Sequence, residues 1–273
     1  MSKFKLTTFV AFALLVTAIA KAQIPIGTSP VLIPVFYSDG GQLGSQWRTT
    51  LTIHNEGNED LWEIPHRIFD CGIPEGCAVP LAAHTTIKMQ TLVPGFKYSN
   101  GFLLYPRTVN SSELSYAIRV QDVSRAAESF GTSLPVVPVT TFRQGPMQIL
   151  DVPANSRSRL TLRVYGLPWD RPAVNVKIYS EDMPTGNPQA TLPQPIAEAQ
   201  FLLNAPIDGN VPHPFQWPAW MILNLSSEQL GSGSSEKHLR FSISSMTAGQ
   251  PVWALITATN NETHQVTAFW PQP

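Results

Sequence analysis

Two stretches of alternating side chains, "RTTLTIHN" at 48–55 and "RSRLTLRVYG" at 157–166, are written in nearly the same rhythm. In the first, Leu51 and Ile53 fall on one face and Arg48, Thr50, Thr52 and His54 on the other. In the second, Leu160, Leu162 and Val164 repeat the apolar phase, with Arg159, Thr161 and Arg163 opposite. Alternation of period two over this length argues for strands with one face on a core. The equivalent positions are 109 residues apart, and in the next segment "IPHRIFD" aligns with "VNVKIYS" at an offset of 110, setting Ile68 on Ile178.

The correspondence returns further along the chain. "ELSYAIRVQDVSR" matches "QPVWALITATNNE" at an offset of 137, placing Tyr116 over Trp253 and Ile118 over Leu255; "FLLYP" lies over "LRFSI" at the same offset. Order and spacing are kept at both ends, which is the signature of an internal repeat whose second copy is longer by 28 residues.

Turn chemistry agrees. "SDGG" at 38–41, "SNG" at 99–101, "TGNP" at 185–188 and "DGN" at 208–210 favour reversals, and "SNG" reads as a tight hairpin between apolar segments. The 25 prolines are spread along the chain, and each removes a ladder donor, so strands are expected to be short. No long amphipathic helical pattern is present; "SSEQLGSG" and "AEAQFLLNA" are expected to hold a turn or two of helix at most. Short strands between Gly- and Pro-rich turns predict antiparallel β-sandwiches. The boundary is expected in "LPVVPVTTFRQGP", dividing the chain into a first sandwich at 23–138 and a second at 139–273 with a longer central insertion.

The first 22 residues read as a secretory signal peptide. Lys3 and Lys5 precede a short apolar core from Phe9 to Ala20, and Ala20-Lys21-Ala22 fits the small-x-small cleavage pattern. The apolar run is too short to span a bilayer, which needs about 20 residues, so no transmembrane segment is expected in the mature chain. Removing it leaves 15 basic against 19 acidic residues, a balance that offers no support for a nucleic-acid partner. The two cysteines, Cys71 and Cys77 in "CGIPEGC", are read as a disulfide closing a hairpin loop in an oxidising compartment. Zinc ligation is the rival, but no second His or Cys pair stands at matching spacing.

With "GSQWRTTLTIHN" after an opening "VLIPVF", a Cys pair in the next loop and a closing "VWALITATNNETHQVT", the chain resembles uncharacterised secreted bacterial proteins with tandem Ig-like β-sandwich repeats. The resemblance implies an all-β fold of two Ig-like sandwiches and an extracytoplasmic address, periplasmic or secreted. It brings no catalytic residues with it.

Chemistry-bearing motifs are absent from the sequence: no Gly-x-Ser-x-Gly elbow, His-Glu-x-x-His, P-loop or dinucleotide fingerprint is written in it. The six histidines are scattered; His54 falls on the outward face of its strand, and His66 on a phase where the repeat has Val176. The acids of "NEGNEDLWE" read as a solvated turn, since they lack the pattern of a calcium loop. The most suggestive run is "VPHPFQWPAWMILNL", where His213, Phe215 and Trp217 alternate onto one side and Trp220 follows. Its rings either roof the second core or offer flat faces to a sugar. The expected function is therefore an exported, non-catalytic binding or structural module, envelope-associated or secreted. It needs no cofactor and no metal, and its partner is an envelope component or a polysaccharide. The alternative is a carbohydrate-binding protein using His213, Phe215, Trp217 and Trp220.

Overall fold

Both alternating stretches are long strands, and each opens onto a different apolar cluster. The computed structural model describes residues 30–61, 81–90, 97–98, 101–104, 113–125, 130–168, 170–181, 194–204, 215–216, 218–226, 229–230 and 236–272. Residues 1–22, read above as a signal peptide, and Cys71, Cys77, His66, His213 and Trp217 lie outside these residues.

The first half holds β1 (Val31–Ile33), β2 (Phe36–Gly40), β3 (Gln46–Asn55), β4 (Thr86–Gln90), β5 (Lys97–Tyr98), β6 (Phe102–Leu104), β7 (Leu114–Asp122), β8 (Thr132–Leu134) and β9 (Val137–Pro138). The second holds β10 (Met147–Ala154), β11 (Ser158–Gly166), β12 (Ala173–Ser180), β13 (Ala197–Leu202), β14 (Phe215–Gln216), β15 (Ala219–Leu225), β16 (Lys237–Ser245), β17 (Val252–Asn260) and β18 (Val266–Phe269). All pairings between strands are antiparallel. Among the described residues there is no α-helix, and no helix long and apolar enough to cross a membrane. The protein is all-β.

In the second half two four-stranded sheets, β10-β16-β12-β13 and β15-β11-β17-β18, share one interior. Met147, Val176 and Phe241 enter it from one sheet, and Leu160, Leu162, Val164 and Ile256 from the other. Each such aliphatic, sealed from water, contributes about 1.5–3 kcal/mol relative to exposure. This is a sandwich. In the first half β3 lies between β4 and β7 with β8 beyond, while β1 lies between β6 and β9. The first cluster gathers Leu32, Phe36, Leu51, Ile53, Phe102 and Ile118. Every residue of β1 and β6 is buried, so both faces of their sheet are covered.

The pairings recur in order. β1–β6, β3–β4, β3–β7 and β7–β8 in the first half stand as β10–β16, β11–β15, β11–β17 and β17–β18 in the second. The register corrects the closing alignment, however. Leu51 pairs with Ile118 and Leu160 with Ala258, so the closing strands correspond at an offset of 140 rather than 137. Trp253 and Leu255 consequently point away from the second interior and join the first cluster.

Two further expectations change. "AEAQFL", read as a helical turn, is strand β13, because β12 offers it an open edge and pairs with it from Ala173↔Leu202 to Ile178↔Ala197. Its helix-favouring residues are overridden by the ladder. The strands on either side of "SNG", whose first two residues lie outside the described ones, pair elsewhere rather than with each other: β5 with β2 and β6 with β1. Gly101, just before β6, takes φ 72°, and a Cβ there meets the Ile33 carbonyl oxygen at 2.7 Å. Gly101→Ala is therefore expected to cost about 2 kcal/mol or more, read as a lower urea midpoint at unchanged slope.

Candidate functional interface

The outward face of β11 is not solvated along its whole length; it is turned toward the first half. At one end Tyr165 is fully buried, lies near-parallel to Trp253 with ring centroids 6.2 Å apart, and donates its hydroxyl to the Pro34 carbonyl of the first half. Burial pushes the Tyr165 hydroxyl well above its ordinary pKa, and the neighbouring Arg163 charge draws it partly back. The phenol remains a neutral donor. Trp220, opposite Tyr165 on β15, is half-buried and packs against the first cluster.

The segment carrying the aromatic cluster also crosses between halves. In β14, Phe215 pairs with Leu104 and Gln216 with Leu103, so a piece of the second copy's extra length extends the β1–β6 sheet of the first half. A sugar platform asks Trp217 and Trp220 to present flat faces to solvent, and Trp220 is instead engaged in packing. Trp220→Ala is expected to cost about 2 kcal/mol of stability, by analogy with partial burial of a large aromatic, seen in a denaturant titration.

At the other end of the interface stands a buried pair that the sequence reading did not single out. Asp122, at the end of β7, and His264, in the turn between β17 and β18, are 1% and 4% exposed, with His264 Nδ1 2.9 Å from Asp122 Oδ2. The turn is shaped by Asn260, whose Oδ1 accepts the N–H groups of Glu262 and Thr263 and whose carbonyl accepts that of His264. His264 takes φ 57° and is thereby delivered inward. Asp122 Oδ1 accepts the Gln46 N–H at 2.8 Å, the Ser124 N–H at 3.0 Å and the Ser124 hydroxyl at 2.6 Å. Burial raises the Asp122 pKa, but the Ser124 hydroxyl, the Gln46 N–H, His264 and the Ser124 N–H together outweigh it and hold the carboxyl below its ordinary range. Nearby, Arg125 donates to the Glu262 carbonyl at 3.1 Å, and Thr132 donates to that of Val266.

Ser124, Asp122 and His264 have the residue types of a hydrolase triad in the wrong order. Nucleophilic catalysis needs the imidazole between hydroxyl and carboxylate, taking the proton from one while the other orients it. Here the carboxylate is in the middle and the serine donates to it, so the hydroxyl is not activated. The arrangement clamps two halves together.

Between the aromatic end and the clamp lies a cleft of ≈ 410 Å³. β11 and β17 line it with Arg159, Thr161, Arg163, Thr257 and Thr259, and the first half with Val35, Trp47, Val120 and Leu134. A second hollow of ≈ 280 Å³ lies beside the connection between halves, against Pro135, Pro138, Trp253 and Trp270. Elsewhere the predicted outward His54 meets the Thr86 hydroxyl at 2.8 Å, and Asn55, buried on the inward phase, organises the acidic turn by donating to the Glu59 carbonyl at 2.8 Å. No known family, curated protein or solved structure matches the chain. The interface presents cations and hydroxyls opposite an apolar wall, an arrangement suited to binding.

Proposed function

We propose that this chain is an exported, non-catalytic binding or structural module built from two tandem sandwiches, 23–138 and 139–273, that work as one rigid body. The observation that carries this reading is the interface: a strand shared across halves, a buried phenol and a buried His–Asp pair enclose a cleft without an aligned nucleophile. Export rests on the lysines, apolar core and Ala20-Lys21-Ala22 of the N-terminus, and in that setting Cys71 and Cys77 are assigned to a disulfide.

The Ig-like reading is supported by part of the strand order of the second half. Counted without β14, which joins the other half's sheet, its second strand, β11, lies beside the fifth, β15, and its third, β12, beside the sixth, β16, as in immunoglobulin sheets. The first strand lies beside the sixth and the second beside the seventh, an arrangement of its own. The recurrence of four pairings in the same chain order supports an ancestral duplication.

The test is recovery of the protein from the cell exterior with Gln23 as its first residue, followed by a screen of glycans and envelope components. The Trp217→Ala, Trp220→Ala double variant runs beside the wild type. Retention in the cytoplasm with an intact N-terminus overturns export. Loss of glycan affinity in the double variant at unchanged stability overturns the packing role given to this segment in favour of a sugar platform.

A further inference from the structure

Of the two arginines that line the cleft, Arg163 meets no counter-charge among the described residues. Arg163 is half-buried; its Nη1 donates to Thr257 Oγ1 at 3.0 Å, while its Nε is shielded from solvent and meets no acceptor. Among the described residues no carboxylate stands within ion-pair distance of it, and none lines the cleft. A guanidinium partly drawn out of water without an anion carries a cost in free energy, and an anion that seats beside it relieves that cost.

The surroundings narrow the class of anion. Thr161, Thr257 and Thr259 supply hydroxyls on the same side as Arg163, whereas the first half supplies Val35, Trp47 and Leu134. A bare inorganic ion satisfies the first side and leaves the second unused. The volume falls in the range of small-molecule pockets, which are mostly apolar with a few convergent polar groups. We infer that the interface cleft binds a small amphiphilic carboxylate, its headgroup beside Arg163 and its apolar body against the wall formed by Val35, Trp47 and Leu134. The inference rests on reading the chain as a binding module and gives that module a ligand class.

Calorimetric titration of the purified chain with octanoate, 1-octanol and inorganic phosphate tests it. Octanoate is expected to bind at one site per chain and at least about tenfold more tightly than either comparison, the scale of one charge-assisted contact. Arg163→Gln is expected to weaken octanoate about tenfold while leaving 1-octanol unchanged, and Arg163→Lys to restore part of the loss. A purely structural arginine gives a different second readout: its removal lowers the melting temperature. Here, ligand-free Arg163→Met should melt at or above the wild type, since it removes an uncompensated charge. Equal affinity for octanoate and 1-octanol, equal affinity for octanoate and phosphate, no binding at all, or undiminished binding by Arg163→Gln each overturns the inference. An exported chain that captures an envelope component but ignores octanoate sinks this inference alone; a cytoplasmic chain that binds octanoate sinks the export reading alone.

Discussion

Asp122→Ala is expected to lower the stability of the whole chain by about 3–5 kcal/mol, the cost of breaking a buried, hydrogen-bonded pair by deleting one partner. The carboxylate accepts from His264, from the Ser124 hydroxyl and from the N–H groups of Gln46 and Ser124. Alanine leaves all four donors without this acceptor in a site that water does not reach. The pH dependence has a definite sign. A carboxyl whose folded pKa lies below its unfolded value of about 3.9 stabilises the fold above that value. The contribution is lost as pH falls from about 4 through the lowered folded pKa. Urea midpoints taken between pH 7 and pH 2 should therefore fall on the acid side for the wild type, and the acid limb should flatten in Asp122→Asn. A midpoint for Asp122→Ala within about 1 kcal/mol of the wild type would show that the pair is a bystander to the interface.

Tyr165→Ala is expected to cost a similar amount, about 3–5 kcal/mol, as for deletion of a buried aromatic ring that leaves a cavity. The ring is fully buried, stacks on Trp253 and belongs to the first cluster although its strand belongs to the second half. Tyr165→Phe separates ring from hydroxyl: it keeps the packing and strands the Pro34 carbonyl, at about 1–3 kcal/mol. Denaturant unfolding followed by tryptophan fluorescence measures both. A neutral Tyr165→Phe would mean that another donor or water satisfies Pro34.

The opening strands were legible because each has one aliphatic phase. Leu51 and Ile53, and Leu160, Leu162 and Val164, lie on the interior sides that alternation assigns them. β17 was not, for a physical reason: all seven residues from Val252 to Ala258 are buried, three to one side and four to the other. A strand covered on both faces writes apolar residues in both phases, so alternation stops reporting direction. The same covering explains the cleft. Arg159, Thr161 and Arg163 look outward from the sequence, and they are outward with respect to their own sandwich. Only the apposition of the first half makes that surface a wall. His264 was hidden by distance, since its partner is 142 positions away in the chain and nothing local pairs them. The trace it leaves is the Asn260-to-His264 turn, whose backbone is built to aim one side chain inward.

The exchange of β14 ties the order in which the chain is made to the order in which it can be finished. Residues 31–142 emerge from a ribosome or a translocation channel long before Phe215 and Gln216 do, and until those two arrive the Leu103–Leu104 edge of β6 has no neighbour on that side. The N-terminal half thus waits, with an open ladder, for a segment translated about a hundred residues later. A chain stopped between the halves would present that edge to any passing strand, so length control and quality control coincide at the point where the last-made half reaches back.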